Sequence, residues 1–312
     1  MKSLFIIGNG FDLSHGLKTS YENFHEYLKE EYPDSNGEAL VVPEPIFMPD
    51  GDVQYDDDAT VNLLMCLINN AEPNGEKWSD LERSMGYFDF DEAFDFLTEE
   101  LDEDDEPDMW KNSYNNEDLA RNLVEPVQSI VDYFSEWVDT IDINEEVKIK
   151  DDFLKIIDKD NDFFLTFNYT KTLEVLYKAR KVCHIHGEQG GKLLFGHGND
   201  TDYYEENMNK NIGSEAPLQE IQYALRKNTE KAIKDNEKFF SSLSEDIDKI
   251  YSYGFSFGDV DKIYIEEICN ILKTENITWY FNDFEDVNKW QEYEQMIRFC
   301  GFKGHVNIYH IS

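Results

Sequence analysis

Residues 4–12 read LFIIGNGFD, four apolar residues that pass directly into a glycine turn and an aspartate. A run of four to six residues that is apolar on both faces is typical of a buried strand in a parallel sheet. A G-x-G turn after such a strand lets the backbone come close to a pyrophosphate. These residues therefore predict a central strand whose carboxyl end borders a ligand.

Similar apolar runs recur in the second half of the chain, and most end in glycine or a small polar residue. They lie at residues 163–167, 182–185, 193–195, 250–253, 278–281 and 306–311. Apolar residues at helical spacing alternate with them, at residues 173–177, 263–272 and 290–300. Strand–helix–strand alternation predicts an α/β fold, a parallel Rossmann-like sheet with helices on both faces.

The longest interruption of this pattern is the segment 19–160. A helical pattern from Leu119 to Ile141 contains Pro126 as a kink or second start, and twelve of the twenty residues 89–108 are acidic. We interpret 19–160 as a mostly helical, acidic insertion in a core formed by residues 1–18 and 161–312. The acidic run indicates a solvated edge, or alternatively a site for a metal or a basic partner.

The charge of the chain limits its partners. Its 312 residues include 28 Lys and Arg against 67 Asp and Glu, a formal net charge of −39. Such a surface repels phosphate backbones and anionic lipids, so we expect neither nucleic acid nor membrane as partner. The apolar runs are too short for a membrane span or a signal peptide, and the four cysteines lack CxxC spacing. We expect a reduced, cytoplasmic protein.

Ligands of open parallel sheets bind beyond the carboxyl ends of the strands, so polar residues that follow the apolar runs are the candidates. They are Gly8, Asn9, Gly10, Phe11 and Asp12, then Asn168, then His184, His186 and His197, and finally Gly254, Ser256 and Asp259. Leu13 stands where a dehydrogenase fingerprint has its third glycine, which disfavours a dehydrogenase. Taken alone, the first group is a tight turn or a nucleotide site, and Asn168 is a turn former or a site residue. The histidines together with a nearby carboxylate are candidates for a metal site.

Several of these stretches together resemble the bacteriophage abortive infection AbiH family. In order they are LFIIGNGFDLSHGL at 4–17, WSDLE at 78–82, FNYT at 167–170, HIHG at 184–187, FGHG at 195–198 and GFSFGD at 254–259. More distantly, the pattern is similar to the sirtuin-like NAD-binding domains of bacterial antiphage effectors. Two positions depart from those domains: the first turn is G-N-G-F-D rather than G-A-G-x-S, and Thr170 replaces an aspartate. There is no zinc-binding cysteine module, so the resemblance does not extend to deacetylation.

The resemblance implies an antiphage protein with a sirtuin-like sheet that binds NAD or a related nucleotide and cleaves its N-glycosidic bond without a metal. By the same resemblance, Asn168 orients the ribose or the water and His186 is the general base. The nucleotide would be held by Gly8, Asn9, Gly10, Phe11, Asp12, Gly254, Ser256 and Asp259. Besides a small nucleotide, the expected partners are a phage or host protein as trigger and a second copy of the chain.

Two other functions remain open at this point. One is a metal-dependent hydrolase of nucleotides or phosphodiesters, with His184, His186, His197 and an aspartate as ligands. The other is a non-catalytic nucleotide sensor whose acidic insertion binds a protein partner.

Overall fold

The computed structural model describes residues 2–71, 77–243, 246–284 and 287–311, and for Val287 it describes the backbone alone. The strands are β1 Lys2–Ile7, β2 Ile46–Phe47, β3 Val53–Gln54, β4 Phe163–Thr166, β5 Val182–His184, β6 Ile247–Tyr253, β7 Thr278–Asn282 and β8 His305–Tyr309.

Helices fill the connections between these strands. They are α1 Asn9–Ser14, α2 Tyr21–Glu31, α3 Asp57–Asn70, α4 Leu81–Met85, α5 Asp91–Phe94, α6 Met109–Gln128, α7 Ile130–Thr140, α8 Asp151–Ile156, α9 Thr172–Tyr177, α10 Tyr204–Lys210, α11 Glu215–Ala224, α12 Thr229–Asp235, α13 Glu237–Ser242, α14 Lys262–Ile271 and α15 Val287–Phe299. Short 3₁₀ turns lie at Lys77–Asp80, Asp259–Asp261 and Thr274–Asn276. Among the helices of the described residues, none combines the length and apolar character that a membrane span needs.

The chain divides into two compact units. Unit 1 comprises Met1–Ser20, Ser135–Leu194 and Asn228–Ser312, and unit 2 comprises Tyr21–Phe134 and Phe195–Lys227. These boundaries differ from the predicted core of 1–18 and 161–312 and the predicted insertion of 19–160. Phe153 of α8 is buried in the core beneath the sheet, which brings the end of the predicted insertion into unit 1. Phe195 stacks on Phe134 at a centroid distance of 3.8 Å, within unit 2.

The sheet of unit 1 is parallel throughout and has the strand order β5-β4-β1-β6-β7-β8. Counted along the chain within this sheet, the order is 3-2-1-4-5-6, which is the doubly wound order of Rossmann folds. The α/β prediction is therefore confirmed. The strand order reverses between β1 and β6, so their carboxyl ends border the crevice where ligands bind in such sheets.

Both faces of the sheet are covered by helices, as predicted. Successive side chains of a strand point to opposite faces. Leu4 and Ile6 accordingly pack in one core with residues of α14 and α15, whereas Phe5 and Ile7 pack in the other with residues of α1, α8 and α9. Burial on both faces explains why these strands read as continuous apolar runs.

The structure corrects two details of the predicted elements. Residues 193–195 form a loop rather than a strand, in which the Leu194 N–H donates to the His186 carbonyl over 2.7 Å. The helical pattern from Leu119 to Ile141 forms two helices, α6 and α7, that meet at Ser129, so the second start lies at Ile130 rather than at Pro126. Pro126 lies inside α6, and the break falls where the Ser129 hydroxyl donates to the Pro126 carbonyl over 2.7 Å.

Candidate functional site

Two glycine turns meet where the strand order reverses. The Gly8 N–H donates to the Tyr253 carbonyl and the Gly10 N–H to the Gly254 carbonyl, each over 3.0 Å. A Cβ on Gly8 would lie 2.4 Å from the Gly254 carbonyl oxygen, and Gly254 has a φ of +63°. The glycines are therefore needed for close approach of the two turns. The amides of Gly8 and Gly10, expected to hold a pyrophosphate, are engaged by the neighbouring turn.

The side chains of the first turn divide between surface and interior. Asn9 is exposed, and its side-chain amide donates to the Thr19 carbonyl over 2.8 Å. Phe11 is fully buried among aromatic rings that include Phe153 and Tyr253. Asp12 is also fully buried, although it is acidic. Of these three side chains, Asp12 is the one whose burial needs an explanation, because a buried carboxylate is costly without partners.

Asp12 belongs to a buried polar cluster with Thr170 and Thr172, between α1 and the segment that follows β4. The Thr170 hydroxyl donates to Oδ2 of Asp12 over 2.5 Å and lies 2.9 Å from the Thr172 hydroxyl. Burial raises the pKa of Asp12 to about 6, against the opposing effects of both hydroxyls, the Asn168 side chain and His184. The cluster thus holds a carboxyl that changes charge close to neutral pH.

Two acceptor atoms of this cluster have no hydrogen-bond donor among the described residues. Oδ1 of Asp12 and Oδ1 of Asn168 are buried, and no residue of the described chain donates a hydrogen bond to either. Both residues are more than nine-tenths buried. A buried acceptor without a donor costs about 1–3 kcal/mol. A ligand that brings hydroxyl or N–H donors would satisfy both atoms.

His184, at the end of β5, fixes the backbone of Asn168. Its Nδ1 lies 2.9 Å from the Asn168 carbonyl oxygen, and its Nε2 lies 2.9 Å from Oε1 of Glu174. Burial by itself would lower the pKa of His184. The hydrogen bond and charge of Glu174, the Asn168 carbonyl and Glu188 outweigh burial and raise that pKa. With an acceptor at each ring nitrogen, the imidazolium form suits this position, since both of its nitrogens donate.

His186 lies beyond the end of β5, in the turn that follows His184. The His186 ring packs edge-on against Phe167, with centroids 5.2 Å apart, and against Tyr264, with centroids 5.6 Å apart. Nε2 of His186 lies 3.6 Å from Oδ1 of Asp261, and both side chains are largely buried. The arrangement is a histidine–carboxylate pair enclosed by aromatic rings.

The carboxylate beside His186 belongs to Asp261, which is not among the residues selected from the sequence. The side chain of Asp259 is 87% exposed and pairs with Lys262 over 2.5 Å. Ser256 is exposed as well, on a turn anchored by the buried Phe255 and Phe257. Asp261 was missed because the resemblance selected the first carboxylate of the D-V-D at 259–261. The position of Asp261 directly before α14 could have identified it from the sequence, because the start of a helix holds a side chain in a defined direction.

His197 makes its own hydrogen bonds within unit 2. His197 lies in unit 2, where its Nε2 is 3.1 Å from the Gln222 carbonyl oxygen and its Nδ1 accepts from the Asn199 N–H over 3.1 Å. Burial lowers the pKa of His197 to about 4. In the part of the chain that the structure describes, no group of three or more His, Cys, Asp or Glu could hold a metal ion.

The W-S-D-L-E segment packs within unit 2. Trp78 stacks on His25 at a centroid distance of 3.9 Å. The Asp80 carboxylate accepts from the Arg83 N–H and so caps α4. Glu82 forms an ion pair of 2.7 Å with Lys227, whose side chain is 1% exposed. These contacts give each of the three residues a role in stabilising unit 2.

Comparison with known proteins bears on the site as well as on the fold. No curated protein and no solved structure shows a significant match to the chain. A family model does match, over residues 4–283. That range contains both glycine turns, the cluster around Asp12 and Asn168, and the pair of His186 with Asp261. Because the matching model, that of bacteriophage abortive infection AbiH, covers most of the 312 residues, the chain belongs to the AbiH family.

Proposed function

We propose that this abortive-infection protein binds NAD or a closely related nucleotide in unit 1 and hydrolyses the bond between nicotinamide and ribose. The observation that carries the proposal is the pair of buried acceptors without donors, Oδ1 of Asp12 and Oδ1 of Asn168. They belong to a cluster at the edge of the sheet where doubly wound folds bind ligands. The resemblance to sirtuin-like NAD-binding domains agrees with this location.

A ribose would supply the hydrogen-bond donors that Oδ1 of Asp12 and Oδ1 of Asn168 need. Its neighbouring hydroxyls are donors, and a carboxylate that accepts from a ribose hydroxyl is a recurrent feature of dinucleotide sites. In this proposal, Asp12 and Asn168 accept from the ribose and hold it against the end of β4. His184 contributes by fixing the Asn168 backbone, with Nδ1 2.9 Å from its carbonyl oxygen.

In the proposed reaction, the protein positions the ribose and a water molecule and accepts one proton. The ribose C1′–nitrogen bond breaks, its electron pair leaves with neutral nicotinamide, and a water oxygen bonds to C1′. His186 takes the proton of that water, and Asp261, 3.6 Å from its Nε2, stabilises the imidazolium that forms. Holding sugar and water in place can contribute about 7–11 kcal/mol to lowering such a barrier.

The test is incubation of the full chain with NAD and chromatography of nicotinamide and ADP-ribose. His186→Ala should lower the rate by about 10²–10⁴-fold, the usual contribution of a general base. Asn168→Ala should also lose activity. Asp261→Asn and Asp235→Asn form a matched pair with the same change of charge, because Asp235 is an exposed carboxylate on α12 of unit 1, outside the proposed site. Turnover should fall in the first and stay within error of the wild type in the second.

Thermal stabilisation by ADP-ribose separates binding from turnover. Stabilisation that Asn168→Ala abolishes, without turnover by the wild type, would support a nucleotide sensor in place of the hydrolase. If the wild type shows neither turnover nor stabilisation, the nucleotide proposal is wrong.

A further inference from the structure

An aromatic groove lies on unit 2, outside the proposed nucleotide site. Its volume is about 540 Å³, and it is lined by Glu100, Trp110, Lys111, Tyr114 and Asn115. Trp110 is 88% exposed and Tyr114 65% exposed, one helical turn apart on α6. Exposed aromatic residues that line a concave surface are characteristic of interaction sites, whereas single exposed apolar residues need no explanation.

The groove is built by a loop that is fixed to α6. The side chain of Asn112 accepts from the Glu100 N–H over 2.8 Å and donates to the Glu100 carbonyl over 3.0 Å. The Asp108 N–H donates to the same carbonyl over 2.8 Å, and Asp108 caps α6. The wall that carries Glu100 is therefore preorganised, which reduces the entropy lost when a partner binds.

One face of α6 packs within unit 2. Ala120, Leu123 and Val127 are buried in unit 2. Close to the groove, the Asn116 side chain donates to the Ile212 carbonyl over 3.0 Å. Trp110 and Tyr114 point elsewhere, and in the described part of the chain they are left largely uncovered.

Charge identifies what fits this groove. Eight of the ten residues from Glu99 to Asp108 are acidic and none is basic. Lys111, the one cationic residue of the lining, lies 3.3 Å from the Asp108 carboxylate. Unit 2 as a whole contains 38 acidic and 8 basic residues, 8 − 38 = −30 of the total −39. A cationic occupant is complementary to this surface, whereas an anionic one is repelled.

We infer that this groove docks an arginine-rich polypeptide segment of a partner protein, with a guanidinium stacked on Trp110 and Tyr114 and its charge next to Glu100. An indole is the strongest cation–π partner among side chains, and arginine adds a planar surface for stacking. The inference does not depend on the proposed hydrolysis of NAD.

The experiment uses the full chain and a fluorescent peptide of alternating arginine and serine at physiological salt, with anisotropy as the readout. Trp110→Ala leaves the net charge unchanged and should weaken binding about 10-fold, within the range that cation–π contacts provide. Trp110→Phe should recover part of the affinity. Glu100→Gln should weaken binding as well, and more strongly at low salt.

Phe47→Ala is the matched control, because Phe47 is an exposed aromatic residue of unit 2 that does not line the groove. It should bind the peptide like the wild type. Circular dichroism verifies that Trp110→Ala is folded, as the exposure of that residue leads us to expect.

Three outcomes would overturn the inference. The first is a wild type that does not bind the peptide. The second is equal affinity of the wild type and Trp110→Ala, because binding would then come from the overall charge alone. The third is a wild-type dimer in sedimentation that Trp110→Ala converts to monomer, because a second copy of the chain would then be the occupant.

Discussion

The carboxyl of Asp12 destabilises the folded protein when it is ionised. Burial raises its pKa from 3.8 to about 6, a difference that corresponds to about 3 kcal/mol. Below pH 3.8 the group is protonated in both the folded and the unfolded state and has no effect. Between pH 3.8 and 6 the unfolded chain releases the proton first, so stability falls as pH rises, and above pH 6 the loss is complete.

Asp12→Asn removes this titration and should show it directly. We expect the free energy of unfolding of the variant, relative to the wild type, to increase by up to about 3 kcal/mol between pH 3.8 and 6. Urea unfolding at a series of pH values measures the difference, and comparison at each pH cancels the titration of other groups. Asp259→Asn, at an exposed carboxylate, should show no such trend. If the difference in free energy of unfolding between variant and wild type does not vary with pH, the carboxyl of Asp12 does not have a raised pKa in the folded protein.

The contact between Asp12 and Thr170 joins the first turn to the segment after β4. The Thr170 hydroxyl donates to the Asp12 carboxylate. The sequence shows both residues but not their contact, because 158 residues separate them.

The two glycine turns act as one element, since a side chain at Gly8 or Gly254 would displace the other turn. We expect Gly8→Ala to lower the free energy of unfolding by about 3 kcal/mol, the upper end of typical overpacking effects. Gly254→Ala should cost at least as much, because it adds a positive φ to the same collision. Urea denaturation measures both.

Gly258 provides the control within the same turn. A Cβ there meets no atom of the described residues within 4 Å, and its φ is −59°. Gly258→Ala should therefore leave stability nearly unchanged. Equal losses at Gly8 and Gly258 would mean that the contact between the turns does not limit which residues they can contain.

At the scale of single elements, the periodicity of apolar residues predicted strands that are buried on both faces. It did not predict structure that depends on a contact with a residue distant in sequence. The residues 4–7, 163–166 and 250–253 lie in strands because they are buried on both faces. The run at 193–195 is apolar too, but Phe195 is buried against Phe134 without a sheet partner. Asp261 faces His186 across 75 residues of sequence, and no local pattern encodes that distance.

Charge is divided unequally over the whole molecule. Unit 1, with the proposed nucleotide site, has 29 acidic and 20 basic residues, 20 − 29 = −9, against −30 in unit 2. The buried pair of Glu82 and Lys227 neutralises one charge of each sign in unit 2. Most of the excess lies on exposed side chains such as those of residues 99–108. Self-repulsion of this kind destabilises the compact state.

Salt should therefore stabilise the protein. The screening length falls to about 10 Å at 0.1 M salt, which weakens repulsion between exposed carboxylates far more than it weakens the buried pair. A gain of about 1 kcal/mol raises the Tm of a protein somewhat smaller than this one by about 2–4 °C, and we expect at least a shift of that size between low and physiological salt. Sodium chloride and choline chloride at equal ionic strength distinguish screening from binding of a cation, because screening predicts the same rise in Tm in both salts. A rise with sodium alone would indicate a bound cation instead, and an unchanged Tm in both would mean that the acidic surface does not limit stability.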